Sequence, residues 1–141
     1  MNKKTYLTLS NTWGLPMILL GKLISAALRL CGFKPKPWAA CNWYVIGKNW
    51  GGISIGRTII TDDEPTEDIL DHEFGHSIQN AMFGFLFPFV VAIPSVIRYW
   101  KREIDSKKGK ELPPYDSIWF EGQATSLGKK YRPIFDEVEK K

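Results

Sequence analysis

The two histidines of this 141-residue chain lie four positions apart, in the string Asp71-His72-Glu73-Phe74-Gly75-His76. This is an H-E-x-x-H sequence. Because a helix turns about 100° per residue, the two imidazoles lie one turn apart on nearly the same face and can bind one metal ion. Glu73 is offset by roughly 100° from His72, so its carboxylate can reach a water molecule activated by that ion. The pattern predicts a metal site with a general base beside it.

A catalytic zinc site generally has three protein ligands and a fourth position open to water. The chain has no third histidine, and neither Cys31 nor Cys41 is suitably spaced, so the third ligand is expected to be a carboxylate. Glu121 is favoured because Trp119 and Phe120 flank it, where a carboxylate without a partner is costly. The alternatives are Asp105, Glu111 and Asp116, all in more polar surroundings, or a site without a third carboxylate ligand.

The motif is expected to lie on a helix over residues 64–84. Pro65 suits the first turn, and the acids around it complement the positive end of the helix dipole. An apolar side lies largely opposite the two histidines and consists of Leu70, Phe74, Ile78 and Ala81. The helix is therefore predicted to have one face for the core and one for the ligand.

The rest of the chain indicates a single α+β domain over residues 1–141. Residues 42–61 are predicted to form a β-hairpin, because β-rich residues and evenly spaced isoleucines flank the turn-forming segment 47–52. Gly56 interrupts the second strand, as a bulge or a close backbone approach would require. The segments that follow the motif helix are an apolar segment at 85–97, an exposed basic linker at 98–114 and a helix at 116–128 that carries Glu121.

Residues 1–32 are predicted to be an apolar N-terminal helix region, with its helix over 15–30. Lys22, Ser25 and Arg29 fall within a stripe roughly 60° wide, and most other residues are Leu, Ile, Met or Ala. A polar face this narrow suits either a helix buried nearly all round or one sunk into a membrane interface. Charged residues interrupt the apolar stretch, so no cleaved signal peptide is expected.

Charge is segregated along the chain, whose net charge is +4. Residues 62–73 carry seven acids and no base, whereas residues 98–110 carry six bases and two acids. A basic stretch after an apolar run favours anionic lipid headgroups as partner, and nucleic acid is not expected.

The uncharged run 81–97 reaches the lower limit for a membrane span, but prolines interrupt it. A simple crossing would also place Glu121 on the opposite side of the membrane from His76. The protein is therefore expected to be membrane-associated in a peripheral or monotopic manner. Otherwise it is cytoplasmic, with both apolar segments buried in its core. Cys31 and Cys41 are expected to be free thiols.

Residues 42–130 resemble zinc metallopeptidases of the gluzincin class. They resemble more closely a set of small bacterial proteins with the patterns N-W-G-G-x-S-x-G and H-E-[YF]-G-H-[TS]-I-Q. The matching segments are 49–56, 72–79, the apolar run 83–94 and 119–121. The resemblance implies a minimal zincin-like fold with one zinc ion at His72, His76 and Glu121, and with Glu73 as general base and acid.

Gluzincins carry an Asp four residues after the ligand Glu, where it bonds a ligand histidine. This chain has Thr125 there, whose hydroxyl can bond a ring N–H, and Asp71 is the alternative partner. Tyr115 and Tyr131 are candidate donors to the oxyanion of the reaction.

The expected activity is hydrolysis of a peptide substrate by a zinc-activated water. The edge of the second strand could bind an extended peptide, or it could simply pack. The alternative function is a non-catalytic, zinc-stabilised module that binds or scaffolds a partner at a membrane surface. A third interpretation is a structural membrane-surface protein in which the motif is incidental.

Overall fold

Five α-helices and a four-stranded mixed sheet make up residues 1–139, the part of the chain that the computed structural model describes. The helices are α1 (Lys3–Asn11), α2 (Leu15–Leu30), α3 (Glu67–Phe83), α4 (Ile93–Lys107) and α5 (Trp119–Glu139). The strands are β1 (Lys36–Trp38), β2 (Cys41–Val45), β3 (Gly52–Ile55) and β4 (Thr58–Thr61). The predicted α+β class is confirmed.

The sheet has the order β1-β2-β4-β3, which leaves β3 at one edge. The predicted hairpin over 42–61 is wrong, because its second half is two strands, β3 and β4, that pair antiparallel with each other. β4 then lies parallel to β2. Gly56 lies in the turn with φ +61°, and a Cβ there would approach the carbonyl oxygen of Met17 to 2.6 Å. The close approach expected at Gly56 is present, but it accompanies a turn and not a bulge.

The motif helix α3 begins at Glu67, three residues later than the predicted start at 64. Thr66 caps it, because the Thr66 hydroxyl accepts a hydrogen bond from the backbone N–H of Ile69 at 3.2 Å. The predicted core face is confirmed, since its members are all buried: Leu70, Phe74, Ile78 and Ala81. They pack in one cluster with Tyr6, Ile59 and Phe135.

Helices α3 and α5 cross with their backbones in close contact. A Cβ on Gly75 would lie 1.8 Å from the carbonyl oxygen of Ala124, and one on Gly128 would lie 1.7 Å from that of Asp71. Only glycine fits at these two positions. The crossing holds the start of α5, which carries Glu121, against the motif helix.

The region after α3 is more helical than predicted. The apolar segment 85–97 is helical throughout, with a 3-10 turn over Gly84–Leu86 and a π-helical turn over Pro88–Ala92 before α4. α4 runs to Lys107. The prediction of a linker over 98–114 is therefore wrong for residues 98–107, which are helical. The reason is that the apolar residues of 93–104 recur at helical spacing among the bases. The helix predicted over 116–128 begins at Trp119 and continues to Glu139, past Gly128, which packs on α3 and does not end the helix.

The N-terminal region is two helices, α1 and α2, and only one side of α2 is buried. Its buried residues are Ile18, Gly21 and Ser25. The interpretation that this helix is buried nearly all round is therefore wrong. Both cysteines are free, with Cys31 exposed and Cys41 buried. Among the described residues no single helix is long and apolar enough to cross a membrane. Two strongly bent helix pairs meet those criteria only when taken together, 3–30 and 67–107.

Candidate metal centre

His72, His76 and Glu121 meet between helices α3 and α5. The Oε2 atom of Glu121 lies 3.0 Å from Nε2 of His72 and 3.1 Å from Nε2 of His76. Glu121 is fully buried, and the side chain of His72 is 12% exposed. One ligand atom from each residue lies within 4.8 Å of the others, so the three could hold a single metal ion. The structure brings together the three residues that the sequence analysis selected as ligands.

Thr125 determines which ring nitrogen of neutral His72 carries the proton. Its Oγ1 donates to a carboxylate oxygen of Asp116 at 2.9 Å and lies 2.8 Å from Nδ1 of His72. Because the only hydroxyl proton of Thr125 points to Asp116, the ring must donate through Nδ1–H. The Nε2 atom of neutral His72 therefore carries a lone pair directed at Glu121.

Gln79 does the same for His76. The side-chain N–H groups of Gln79 donate to the carbonyl oxygen of Phe120 at 2.8 Å and to Gln123 at 3.0 Å. Its amide oxygen is thereby turned to Nδ1 of His76, at 2.7 Å. Nδ1 is again the donor, and the second Nε2 lone pair also points at Glu121.

Two imidazole lone pairs and a buried carboxylate thus converge on one point. Without a cation, the contacts of Glu121 with His72 and His76 are favourable only when each ring carries a second proton. A divalent ion satisfies all three groups at once, and two histidines with one glutamate match the ligands of catalytic zinc sites. The described residues fit such an ion.

The electrostatics of the ligands follow from this geometry. Burial raises the pKa of Glu121, but without an ion its contacts with the doubly protonated imidazoles outweigh burial and hold the pKa well below its usual range. Burial lowers the pKa of His76, whereas contact with Glu121 and the charge of Glu73 raise it, and the net pKa is raised. Ser95 of α4 donates to the other carboxylate oxygen of Glu121, Oε1, at 2.5 Å. Each of the three candidate ligands therefore has an orienting partner.

Glu73 lines two of the cavities beside the histidine pair. It lines one with His72 and another with His76. Burial is the main cause of a raised pKa for this carboxyl, and the nearby histidines lower it. The backbone of Gly52 passes so close that a Cβ there would lie 3.2 Å from Cγ of Glu73. The second glycine of the N-W-G-G segment thus leaves room for Glu73.

Tyr115 is the candidate oxyanion donor that the structure places at the site. Its ring packs edge-on against His72, with 5.8 Å between centroids. Burial, with the negative charge of Glu121, raises its pKa to about 12, so its hydroxyl keeps its proton at neutral pH. The guanidinium groups of Arg98 and Arg102 lie 5.1 and 5.2 Å from the ring centroid. Tyr115 is a hydrogen-bond donor bordering the cleft.

Two of the predicted auxiliary residues lie elsewhere. Asp71 pairs with Arg132, with 3.0 Å between Oδ1 and Nε, and among the described residues it forms no hydrogen bond or ion pair with a histidine ring. Tyr131 packs against Phe135 in the hydrophobic core and accepts a hydrogen bond from the N-terminal amino group. Both were predicted from sequence proximity or residue type. Asp71 points away because residue 71 precedes the ligand face by about 100°.

The site opens into a cleft between strand β3 and helix α4. One cavity, of about 430 Å³, lies over His72 and Glu73 and is bordered by Trp50 and Tyr115. A second lies along Gly52–Ile55 and reaches His76. Since β3 is at the sheet edge, its backbone borders the route to the metal ligands.

The inference of function rests on the site, because comparisons with known proteins found no match. No family model, curated protein or solved structure matches this chain.

Proposed function

We propose that the protein is a zinc-dependent metallopeptidase. One observation carries the proposal: the lone pairs of His72 and His76 converge with the buried carboxylate of Glu121 beside a second carboxylate, Glu73, that faces a cleft. In this proposal the first three residues hold one zinc ion. Within the described part of the chain, Glu73 forms no hydrogen bond with the three ligand side chains, so its carboxylate remains available for proton transfer.

The residues of the cleft have distinct tasks in peptide hydrolysis. Bound zinc supplies Lewis acidity, which polarises a carbonyl group and acidifies water. Glu73 accepts the proton of the attacking water and delivers it to the leaving amine. The Tyr115 hydroxyl donates a hydrogen bond to the oxygen that becomes negative in the transition state. Thr125 and Gln79 keep the histidines in the tautomer that the ligands need.

The proposed substrate is an extended peptide that lies along β3. The outer edge of β3 has no neighbouring strand in the sheet, and the cleft beside it leads to Glu73. Main-chain hydrogen bonds to such an edge give affinity without demanding particular side chains. A short or flexible peptide fits better than a folded protein, because the cavity over the site is only about 430 Å³.

The decisive experiment combines metal analysis with hydrolysis by Glu73→Gln. Wild-type protein should hold one zinc per chain and cleave members of an extended-peptide library. Glu73→Gln should keep its zinc and lose at least about a hundredfold in rate, because the general base is gone. Glu64→Gln, at an exposed position of the same acidic segment, is the matched control and should cleave normally.

The possible results separate the hypotheses. Undiminished hydrolysis by Glu73→Gln would contradict the assigned role of that carboxylate. A full zinc complement in a wild type that cleaves no peptide would support the non-catalytic, zinc-stabilised module instead. Purified protein without stoichiometric zinc would contradict both.

A further inference from the structure

Helix α2 is turned with its polar side toward the protein. The Ser25 hydroxyl lies 2.5 Å from the hydroxyl of Tyr44, and Nε of Arg29 donates to the same Tyr44 oxygen at 3.0 Å. In a surface helix of a protein that faces only water, the polar residues point outward and the apolar ones pack inward. In α2 two of the three residues of the polar stripe, Ser25 and Arg29, instead bind the sheet.

The outward side of α2 is consequently apolar. The bulky side chains exposed on it are Leu15, Leu19, Leu20, Leu23 and Leu30. Leu23 is 69% exposed and Leu30 is 90% exposed. Leaving this many leucines in water is unfavourable relative to burying them. A contiguous face of this kind marks an interaction surface.

Helix α4 has a second outward apolar face. None of its residues is buried, and its polar side is used to hold the segment before α5: Arg98 and Arg102 donate to the carbonyl oxygens of Pro114 and Pro113. The exposed apolar residues recur at helical spacing and include Phe89 just before the helix, Ile93, Val96, Ile97, Trp100 and Ile104. Phe89 is 71% exposed.

The elements that carry the two faces approach each other where α2 begins. The rings of Trp13 and Phe85 pack edge-on with 5.8 Å between centroids. Met17 packs against a buried cluster that includes Phe87 and Val91. The N-terminal part of α2 therefore lies directly beside the turns that lead into α4.

The charge around these faces is positive. Residues 1–61 contain eight bases and no acid, and Lys22 and Lys34 are exposed on and just after α2. At the other face, Lys101, Lys107 and Lys108 are exposed on or at the end of α4. Two copies of such a surface would repel each other, whereas anionic lipid headgroups attract it and the acyl region accepts the leucines.

The face on α4 is also the rim of the cleft. Val96 and Trp100, 47% and 62% exposed, line a cavity together with Gly52 and Tyr115. Ser95, the residue before Val96, donates to the ligand Glu121. Whatever covers this face therefore lies at the mouth of the site.

We propose that the outward faces of α2 and α4 insert into one leaflet of an anionic membrane and place the mouth of the cleft at its surface. The substrate would then be a peptide segment that lies at the bilayer surface or emerges from it. The docking stands on its own, and the nature of the substrate rests on the proposed peptidase function.

Vesicle flotation tests the docking without any measurement of hydrolysis. Wild-type protein should float with vesicles of phosphatidylcholine and phosphatidylglycerol, and much less with phosphatidylcholine alone. Leu23→Gln and Ile97→Gln should each weaken binding to the anionic vesicles about tenfold or more, because each removes a side chain from the acyl region. Ile134→Gln, at a 44% exposed position of α5 outside both faces, is the matched control and should change binding less than twofold.

Circular dichroism establishes that the variants are folded, as expected for exposed positions. The proposal is contradicted if wild-type protein binds neither vesicle, if it binds both equally, or if the two face variants bind like the control. A dimer in sedimentation that Leu23→Gln dissolves, without vesicle binding, would assign the faces to a second copy. Glu73→Gln should float like wild type, so a failed peptidase assay and a failed docking assay remain distinguishable.

Discussion

At the scale of single residues, the centre depends on side chains that hold the ligands. Gluzincins place a carboxylate directly against a ligand histidine, and this chain has Thr125 at that position. In this structure the carboxylate of Asp116 contacts His72 indirectly, because Thr125 is hydrogen-bonded to both residues. The negative charge of Asp116 reaches the ring through a hydroxyl, and the Nδ1–H tautomer is preserved.

Replacing Thr125 by valine tests this link. Valine keeps the volume but removes the hydroxyl, so Nδ1–H of His72 loses its acceptor and we expect zinc affinity to fall about 10- to 100-fold. Thr125→Ser keeps the hydroxyl and should bind zinc nearly as wild type does. Competition with a chromogenic zinc chelator measures both, and equal affinity of the valine and serine variants would show that the link is unimportant.

The candidate ligands could be predicted from the sequence because the evidence for each lies within a short segment. The spacing of His72, Glu73 and His76 is contained in one helical turn, and the aromatic neighbours of Glu121 marked it as a carboxylate in need of a partner. Asp116 was predicted only as an alternative third ligand, and neither Gln79 nor Ser95 was predicted to be part of the site. Their roles depend on how α3, α4 and α5 meet, which no short pattern contains.

At the scale of helices and strands, the α3–α5 crossing positions the third ligand. Gly75 lies inside the H-E-x-x-H motif, and Gly128 lies two turns after Glu121 on α5. Both glycines are needed because the partner backbone occupies the space of a Cβ. The crossing was not predicted, since Gly128 was taken for the end of its helix. The sheet was mispredicted for a similar reason: the parallel pairing of β2 with β4 is long-range.

Gly128→Ala should weaken both stability and metal binding. A methyl group 1.7 Å from the carbonyl oxygen of Asp71 forces the helices apart, and we expect a loss of at least about 1–3 kcal/mol in the free energy of unfolding. Zinc affinity should fall as well, because Glu121 moves with α5. Urea unfolding and zinc titration measure the two effects. Ser126→Ala, at an exposed position of the same helix, should stay within about 0.5 kcal/mol.

Gly52→Ala should affect catalysis more than folding. The added Cβ would lie 3.2 Å from Cγ of Glu73 and 3.3 Å from Ile69, so Glu73 must shift by a few tenths of an ångström. We expect a lower kcat with unchanged zinc content, because none of the three atoms nearest to such a Cβ belongs to a candidate ligand. A variant with full activity would indicate that Glu73 tolerates displacement.

At the scale of the whole molecule, the candidate metal centre joins the last helix to the rest of the fold. α5 holds no ligand but Glu121, yet that one side chain connects it to both histidines of α3 and to Ser95 of α4. A carboxylate buried at 0% exposure is costly unless positive charge compensates it. The segment between His76 and Glu121, residues 77–120, is therefore closed into a loop whose ends meet at the candidate metal centre.

Removal of the metal should for this reason destabilise the entire protein. An ion that binds only the folded chain stabilises it by about 4 kcal/mol at a thousandfold excess over its Kd, which corresponds to roughly 10 °C in Tm for a chain of this size. Differential scanning calorimetry with added zinc and with a chelator measures the difference. Glu121→Gln removes the charged ligand and should abolish the difference between the two conditions. If the wild-type Tm does not depend on zinc while the ion is bound, the ion does not hold α5 to α3, and the structural role assigned to Glu121 is wrong.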